Sequence, residues 1–373
     1  MPRQKLTIVQ LVPSLDSGGV ERGALEVSEA LTRRGHRSII ISSGGRLVDK
    51  LTAAGGEHIC WEIGKKTPLT LKWVWPLRQL LRHQQVDILH ARSRVPAWVG
   101  WLAWRSLRQS TRPRFVTTAH GLYSVNAYSA IMASGERVIS VSEAVDGYLR
   151  QNYPRLNPAR LRLIPRGIDP EEFPRGYQPS RDWLDQWYQS YPQLLGRPVM
   201  SLVGRITRLK GHHDFLKIVD LVRQRQPNVC ALIVGEEDPR RKAYAAEIRE
   251  QVKQLGLQEH VFFTGHRPDV REIYAVSNVS LSLTAHPPEA FGRSVLEALN
   301  IGTPVVGWET GGTVELLKCI YPPGLIPAGN IELAAERVLE VFRNGAVMPS
   351  EHPYLKHHML RQTLDLYEEL AAA

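Results

Sequence analysis

The sequence predicts an α/β protein with two doubly wound domains, and three observations support this prediction. The chain has 373 residues, which is enough for two domains of ordinary size with a full core each. Short apolar runs alternate with amphipathic helical patterns, as in parallel sheets that are covered by helices on both faces. The pattern that opens the chain, a strand, a glycine-containing loop and a helix, occurs again from residue 199.

The first half begins with a strand, a turn and a helix. The apolar run over residues 5–13 predicts the strand, and residues 14–19 predict a tight turn. The following helix carries apolar residues on one face, at Val20, Ala24, Val27 and Leu31. Gly35 ends this helix, and further strands are predicted at 37–42, 58–63, 86–90, 115–119 and 137–141.

Gly18 and Gly19 lie in the first turn, between a strand and a helix. Glycines at such a turn allow a backbone to approach a phosphate closely. Their spacing differs from G-x-G-x-x-G, which disfavours a dinucleotide site. A simple turn without a ligand is the alternative interpretation.

The second half repeats this opening. Residues 199–203 predict a strand, residues 204–211 a loop and residues 212–225 a helix. The loop places Arg205 and Lys210 at the entrance of that helix, where an arginine fork and a lysine point charge suit a diphosphate. Further elements are predicted as strands at 229–234, 261–264, 279–283 and 305–306, and as a last helix at 354–370.

Two acidic residues bracket a Phe-Gly pair in the second half. Glu289 lies in a Pro-rich loop after a strand, and Glu297 lies in the helix that follows. Eight residues at ~100° each make ~800°, so we expect both carboxylates to face one crevice. The backbone N–H groups of Gly292 and Arg293 lie between them at a helix start, where phosphates bind. A nucleotide sugar has hydroxyls on both sides of its phosphates and fits this pattern.

His120 follows a predicted strand and precedes Gly121. This places an imidazole at the carboxyl edge of the sheet, where open α/β sheets bind ligands. A structural histidine is the alternative. Ser142 follows the next strand and equally fits a helix N-cap.

These motifs together resemble those of a known family. Residues 289–297 resemble the E-x7-E motif of retaining glycosyltransferases of glycosyltransferase family 4, and residues 204–211 resemble their G-R-x4-K-G loop. The resemblance implies the GT-B fold, with two Rossmann-like domains facing each other across a donor/acceptor cleft. It implies an acceptor domain at 1–170, a nucleotide-sugar domain at 171–353 and a final helix at 354–373 that crosses back to the first domain.

The resemblance also implies roles for individual residues. Glu289 would hold hydroxyls of the donor sugar, Glu297 the ribose, and His120 would lie near C6 of the sugar. The donor phosphates would face the glycine turn of the first domain, the cations of the second and the helix start after Glu289, at Gly18, Gly19, Arg205, Lys210, Phe291, Gly292 and Arg293. The turn that contains Arg267 would contact the nucleobase through its backbone, and residues 310–315 would lie near the phosphates.

The implied chemistry is a retaining hexosyl transfer without a bound metal or other cofactor. The sequence has no D-x-D pair to bridge a metal to the diphosphate. Arg205 and Lys210, with helix dipoles, would stabilise the leaving nucleoside diphosphate. Because no residue is an obvious nucleophile, we expect attack on the same face of the sugar, with the departing phosphate oxygen taking the proton of the acceptor.

The acceptor is less clearly indicated than the donor. Residues 90–98 resemble a segment of transferases that act on bacterial lipopolysaccharide core, which implies a lipopolysaccharide or related glycolipid acceptor. A phospholipid, a small soluble acceptor and a nucleotide-sugar-binding protein without turnover are alternatives. The donor sugar and its nucleotide, UDP or GDP, stay open. Arg166 stands where the family usually has Asn, a departure expected to affect acceptor contacts rather than the fold, and residues 169–195 are predicted as a hinge region.

Composition and charge restrict where the protein is expected to be located and which partners it is expected to have. Cys60, Cys230 and Cys319 form no C-x-x-C pair, which fits a reducing cytosol. No signal peptide and no membrane span are recognised, so a soluble or peripheral cytoplasmic protein is expected, with the inner face of the cytoplasmic membrane as the peripheral site. Residues 1–170 hold 25 Lys and Arg against 12 Asp and Glu, whereas the remainder holds 22 against 25.

An excess of +13 in the first half predicts an anionic partner. An anionic membrane surface and a phosphorylated acceptor both fit, whereas no recognised nucleic-acid motif is present. Two basic, Trp-rich stretches, at 70–82 and 96–107, fit either a membrane interface or helices that pack on a sheet with Arg at the rim.

Overall fold

A computed structural model describes residues 5–16, 18–237 and 242–372. Ser17, in the predicted first turn, lies outside the described residues. The chain divides into two compact units. The first unit comprises Met1–Gly167 and Lys356–Ala373, and the second comprises Ile168–Leu355.

The first unit is built on a seven-stranded parallel sheet with the strand order β3-β2-β1-β4-β5-β6-β7. Its strands are β1 (Thr7–Leu11), β2 (Arg37–Ser42), β3 (Glu57–Cys60), β4 (Ile88–Ala91), β5 (Arg114–Ala119), β6 (Arg137–Ser140) and β7 (Leu161–Leu163). The helices between them are α1 (Gly19–Arg33), α2 (Val48–Ala53), α3 (Val74–His83), α4 (Arg94–Arg105) and α5 (Glu143–Asn152).

Both faces of this sheet are buried. On β1, Val9 and Leu11 belong to one apolar cluster, whereas Ile8, which directly precedes Val9, belongs to another. This alternation follows from the two-residue period of a strand. Both faces of the strands therefore favour apolar residues, which explains the near-continuous apolar runs in the sequence.

The second unit repeats this architecture with a six-stranded parallel sheet in the order β10-β9-β8-β11-β12-β13. Its strands are β8 (Val199–Val203), β9 (Cys230–Val234), β10 (Val261–Gly265), β11 (Val279–Ser282), β12 (Val305–Trp308) and β13 (Leu325–Ile326). Its helices are α6 (Arg181–Ser190), α7 (His212–Arg225), α8 (Lys242–Gln254), α9 (Val270–Ala275), α10 (Arg293–Ile301), α11 (Thr313–Ile320) and α12 (Ile331–Asn344).

The last helix, α13 (Lys356–Ala372), packs within the first unit. Its residues Leu366, Tyr367 and Leu370 join the apolar cluster that contains Ile8 and Val27. The helix thus covers the face of the first sheet that α1 also covers.

The predicted α/β fold with two Rossmann-like sheets is confirmed. The structure adds the short edge strands β7 and β13, which carry too few residues to produce an apolar period. Ser142 is the N-cap of α5, because its hydroxyl accepts a hydrogen bond from the backbone N–H of Val145.

The segment 169–195, predicted as a hinge region, contributes to the core of the second unit. Trp183 and Trp187 of α6 and Tyr191 at its C-cap lie four residues apart, and their rings contact in series. Trp187 is buried against the apolar residues of β8 and β9. The aromatic spacing is that of one helix face, which explains why this segment packs on the sheet.

Most of the Trp-rich surface of the first unit also packs inward. Trp73, Trp98, Trp101 and Trp104 are partly buried against the cluster that contains Leu89. For these four residues the packing interpretation is confirmed. Trp75 is different, because its side chain is exposed.

Candidate active site

The predicted donor residues of the second unit lie at the carboxyl edge of its sheet, where the strand order changes direction. β8 and β11 are neighbours, and the sheet continues from them in opposite directions. Ligands of open α/β sheets bind in the crevice outside the carboxyl ends of such a strand pair. The loop 204–211 follows β8, and the loop 283–292 follows β11.

Two glycines shape the loop after β8. Gly211 has φ +72°, and a Cβ there would lie 2.4 Å from the carbonyl oxygen of Leu283. Gly235, after β9, would place a Cβ 2.1 Å from the carbonyl oxygen of Gly204. Only glycine fits such close backbone contacts. The loop is therefore held tightly against the ends of β9 and β11.

An ion pair joins the two loops. Lys210 Nζ lies 2.8 Å from Glu289 Oε2, and both side chains are about three quarters buried. Thr284 Oγ1 donates to the same carboxylate oxygen over 3.4 Å, and Thr310 Oγ1 donates to the Thr284 carbonyl over 2.7 Å. Two residues that lie far apart in the sequence, one cationic and one acidic, thus form a single polar centre at the sheet edge.

The backbone of Glu289 is fixed by the loop that precedes α11. The N–H of Gly312 donates to the Glu289 carbonyl over 2.8 Å. A Cβ at Gly311 would lie 2.1 Å from that carbonyl oxygen, and one at Gly312 would lie 2.4 Å from Phe291 Cα. The Gly-Gly pair thus lets the segment 310–313 pack directly on the Glu289 loop.

The start of α10 corrects one geometric expectation. Gly292 is the N-cap at φ +95°, and the helix begins at Arg293. Because only half of the interval from Glu289 to Glu297 is helical, the ~800° rotation does not describe it. Glu297 instead lies one turn into α10, where its Oε1 is 3.0 Å from Arg293 Nε. The first N–H groups of α10 have no partner within the helix, as at any helix start.

The side chains of Phe291 and Arg267 make contacts within the protein. Phe291 is buried and packs edge-to-face against Tyr354. Arg267, after β10, forms an ion pair with Asp269 and lies over the Trp187 ring at 5.3 Å. A contact of the Arg267 backbone with a nucleobase stays a prediction.

The loop 204–211 also contains an exposed cation, Arg205, and is followed by a buried histidine, His212. Arg205 is exposed, and its guanidinium makes no ion pair with any residue that the structure describes. His212, directly after the loop, is fully buried, and burial lowers its pKa to about 4. A neutral ring thus lies next to the cationic loop and adds no charge to it.

A brace from α8, which the sequence interpretation missed, holds the middle of this loop. Arg208 donates to both carboxylate oxygens of Glu247, with Nη1 to Oε1 at 3.2 Å, and lies over the Tyr244 ring at 4.9 Å. The Arg208 guanidinium holds the pKa of the Glu247 carboxyl below its usual range. His213 Nε2 lies 2.9 Å from the same carboxylate.

We expect Glu247→Ala to loosen the loop 204–211 and to weaken nucleoside-diphosphate binding by about threefold, because the Arg208 pair is exposed to solvent. Titration calorimetry with UDP and GDP measures the change. Glu250→Ala is the matched control, since Glu250 lies on the same helix and pairs with Lys253 instead. Equal effects of the two substitutions would remove α8 from the site.

In the first unit, Arg166 contacts the glycine turn and also acts electrostatically on His120. Arg166 donates to the carbonyl of Gly19, and a Cβ at Gly23 would lie 2.2 Å from its Nη2. The Arg166 side chain thus packs across the first turn of α1. A role in acceptor contacts stays a prediction.

The two predicted glycines are not equally open. A Cβ at Gly18 would lie 2.5 Å from Glu21 Oε2, so a carboxylate already covers the start of α1 at that residue. Gly19 has open space where a Cβ would point. Gly19 thus offers open space for a phosphate, whereas at Gly18 the Glu21 side chain would have to move; phosphate approach at either glycine stays a prediction.

His120 is a neutral imidazole in a cationic environment. Burial, followed by Arg166, Arg92 and His90, lowers its pKa well below the usual range. The backbone N–H of His120 donates to Tyr123 Oη over 3.1 Å. Its Nε2 is buried without a hydrogen-bond partner among the described residues. A ring nitrogen of a neutral imidazole can either donate one hydrogen bond to a hydroxyl or accept one from it.

Residues 90–98 include structural residues that the motif alone did not distinguish. His90 is buried and hydrogen-bonded to Tyr367 Oη at 2.5 Å and to Thr118 Oγ1 at 2.6 Å. Arg92 is buried, and its Nε donates to Gln10 over 2.8 Å. His90 therefore links β4 and β5 to α13, which no local pattern could indicate.

The described residues were compared with the requirements of a membrane-spanning helix and of a metal site. No helix there combines the length and the apolar character that crossing a bilayer requires. No three His, Cys, Asp or Glu side chains there are grouped so that they could hold a metal ion.

Models of two glycosyltransferase domains match the two halves of the chain. Residues 17–172 match Glycosyltransferase Family 4, and residues 186–354 match Glycosyl transferases group 1. By fold and domain composition the chain is a GT-B glycosyltransferase. It belongs to those that combine a Family 4 domain in the first half with a group 1 domain in the second.

Curated relatives are distant and longer. The chain is 30% identical over 156 residues to the 2-deoxystreptamine N-acetyl-D-glucosaminyltransferase of Streptomyces fradiae, covering 41% of this chain and 35% of that protein. It is 24% identical over 321 residues to a subunit of the phosphatidylinositol N-acetylglucosaminyltransferase of Homo sapiens, covering 80% and 61%. The chain thus spans between about a third and three fifths of the length of these relatives.

Solved structures match almost end to end. A glycosyltransferase from Rickettsia africae has a TM-score of 0.81 at 28% identity and 98% coverage of both chains. Anabaena Alr3699/HepE in complex with UDP-glucose has a TM-score of 0.80 at 21% identity, covering 98% and 100%. WaaG, a glycosyltransferase of lipopolysaccharide biosynthesis, has a TM-score of 0.65 at 16% identity, covering 98% and 94%.

Proposed function

We propose that this protein is a retaining hexosyltransferase that moves a sugar from a UDP- or GDP-linked donor to a lipopolysaccharide core or related glycolipid. The observation that carries the proposal is the Lys210–Glu289 centre at the carboxyl edge of the second sheet. Exposed Arg205 on the same loop and the start of α10 add positive charge to it. A diphosphate with a sugar on one side and a nucleoside on the other fits these groups.

The proposed roles follow from the chemistry of each side chain. Lys210 and Arg205 bind the diphosphate and stabilise the charge that develops on it as it leaves. Glu289, fixed by its carbonyl contact with Gly312, accepts hydrogen bonds from hydroxyls of the donor sugar. Glu297 takes the ribose hydroxyls, and neutral His120 of the first unit takes a hydroxyl on the C6 side of the sugar.

The proposed transfer keeps the anomeric configuration. The acceptor oxygen forms a bond to C1 of the sugar on the face from which the phosphate oxygen departs. The bond from C1 to that phosphate oxygen breaks with its electron pair on the oxygen, which takes the proton of the acceptor hydroxyl. The products are the glycosylated acceptor and the nucleoside diphosphate, and no enzyme nucleophile is consumed.

The acceptor assignment rests on residues 90–98 and on the basic first half. The alternatives are transfer to a phospholipid or small soluble acceptor, and nucleotide-sugar binding without turnover. The names of two relatives show that such transferases differ in their acceptors, since one names an aminocyclitol and the other phosphatidylinositol. These names support keeping the alternative acceptors. We place the protein in the cytoplasm, with peripheral association with the anionic inner face of the cytoplasmic membrane.

The test is a transfer assay with a panel of labelled UDP- and GDP-hexoses. Each donor is offered with delipidated core oligosaccharide, phospholipid vesicles or a small soluble polyol, and the anomeric configuration of any product is read by NMR. We expect transfer to the core oligosaccharide with retention. Transfer to another acceptor selects the first alternative, inversion contradicts the mechanism, and donor binding without product on any acceptor selects a binding protein.

Turnover is expected to persist in excess EDTA, because Arg205 and Lys210 supply the positive charge that a metal would otherwise supply, and the sequence has no D-x-D pair. The measurement compares initial rates before and after chelation, with and without added Mg²⁺. Loss of activity with EDTA and its rescue by Mg²⁺ would show that the cations alone are insufficient.

A further inference from the structure

A short segment of the first unit presents large apolar side chains to solvent. Within residues 69–75, Leu69 is 75% exposed, Leu71 is 51% exposed and Trp75 is 62% exposed. They belong to the 3-10 helix Pro68–Trp73 and to the first turn of α3. We call these three residues the Leu69 surface. Single exposed apolar residues are common on soluble proteins, but a group of three in seven residues indicates a contact surface.

The segment is held in place from beneath, so the exposure is not that of a loose loop. Thr70 is buried, and its hydroxyl donates to the Lys65 carbonyl over 2.6 Å. Trp73 stacks on Trp61 with ring centroids 5.0 Å apart and an interplanar angle of 14°. Thr70 and Trp73 point inward, and the residues of the Leu69 surface therefore point outward.

A groove adjoins this surface. It has a volume of about 440 Å³, and its apolar lining includes Pro68, Leu71, Val95, Trp98 and Tyr128. Lys65 and Lys66 stand at the same groove. The volume lies in the range of pockets that hold small apolar ligands or parts of larger ones.

Cations surround the apolar residues. Lys66 and Lys72 are exposed, and Lys72 Nζ lies 5.0 Å from the Trp73 ring centroid. Arg78 lies over the Trp75 ring at 5.0 Å. Lys65 pairs with Glu62 at 2.7 Å. A partner for this surface must therefore be apolar and anionic together, and a leaflet with anionic headgroups has both properties.

We propose that the Leu69 surface inserts into the headgroup region of an anionic lipid leaflet, and that the adjoining groove receives a hydrocarbon chain of such a lipid. Lys65, Lys66 and Lys72 bind the lipid phosphates. This inference rests on the membrane association proposed above and is independent of sugar transfer. It moves the main contact from α4, whose Trp98 lines the groove and whose Trp101 and Trp104 pack against the apolar cluster, to the segment 65–75.

The test is co-sedimentation with vesicles of phosphatidylglycerol and phosphatidylcholine across a salt series. The combined variant Leu69→Ser, Leu71→Ser and Trp75→Ser should bind at least about tenfold more weakly at every salt concentration, because apolar burial is not screened by salt. The variant Lys65→Gln, Lys66→Gln and Lys72→Gln should lose binding mainly at low salt. Pure phosphatidylcholine vesicles should bind both variants and the unmodified protein poorly.

The matched control removes equally exposed apolar residues elsewhere. Leu195 and Val347 of the second unit are 65% and 98% exposed, and their change to Ser should leave vesicle binding unchanged. Brominated acyl chains should quench part of the tryptophan fluorescence of the bound protein, and Trp75→Phe should remove that part.

Three results would overturn the inference. The first is unchanged vesicle binding of the apolar variant, and the second is a matching loss in the Leu195 and Val347 control. The third is loss of transfer to soluble core oligosaccharide in the apolar variant, which would assign the surface to the acceptor site. If the apolar variant still transfers sugar to the soluble acceptor but binds vesicles more weakly, the inference is supported. If neither the variants nor the unmodified protein transfer sugar, the result contradicts the proposed function and leaves the vesicle-binding result to decide this inference.

Discussion

Lys210→Ala should lower the rate of sugar transfer by ~10²-fold or more, because it removes a cation that acts on the charge of the leaving diphosphate. In the structure this ammonium lies 2.8 Å from Glu289 Oε2. Its loss also leaves the Glu289 carboxylate without its cation next to the proposed phosphate site. Binding of the nucleoside diphosphate should therefore weaken together with turnover.

Steady-state kinetics and titration calorimetry with the free nucleoside diphosphate measure the two effects. Lys217→Ala is the matched control, because Lys217 lies on α7, downstream of the same loop, and pairs with Asp214 at 3.7 Å. The control should keep both binding and turnover. Kinetics of Lys210→Ala equal to those of the control would exclude this lysine from the reaction.

Gly311→Ala should cause the largest loss of stability among the single methyl additions that we propose. The added Cβ would lie 2.1 Å from the Glu289 carbonyl oxygen, and the backbone there has φ +57°. A left-handed conformation by itself costs an alanine about 1 kcal/mol. The overlap adds a further cost of roughly 1–3 kcal/mol, as for other additions to a packed site.

A second glycine separates the two causes. Gly256 has φ +64° and open space where a Cβ would point, so Gly256→Ala carries the conformational cost without the overlap. We expect denaturant unfolding to give Gly311→Ala a loss about 2 kcal/mol larger than that of the control.

Gly311→Ala should also weaken donor binding, since the Glu289 loop must move to accommodate the methyl group. A displacement of about 1 Å at a reacting group can cost on the order of 10²-fold in rate. Equal stability and equal donor binding of the two variants would mean that the segment 310–313 yields easily and does not fix Glu289.

The cations and acids of the proposed donor site were predictable from the sequence because each belongs to a local pattern. A strand, a glycine loop and a helix start together place Arg205 and Lys210 at a sheet edge. The Glu-x7-Glu segment follows another strand in the same way. Such patterns depend on the period of the backbone, and the sequence contains that period directly.

Several assignments in the site depended on contacts between distant residues. Three contacts each join segments that follow different strands of the sheet. They are the Lys210–Glu289 pair, the Arg208–Glu247 brace and the contact of Gly311 with Glu289. The burial of Phe291 and the covering of Gly18 by Glu21 likewise depend on packing. No local period records these contacts.

By itself, the sequence determined the order of strands and helices, the division into two α/β domains and the side chains available at the sheet edge. Only the tertiary structure decided which of those side chains meet and which pack inward. The physical reason is that secondary structure follows from hydrogen bonds and side-chain periods within a few residues. The positions of loops instead follow from close backbone contacts, such as that of Gly235 with Gly204, which form only when the sheet is assembled.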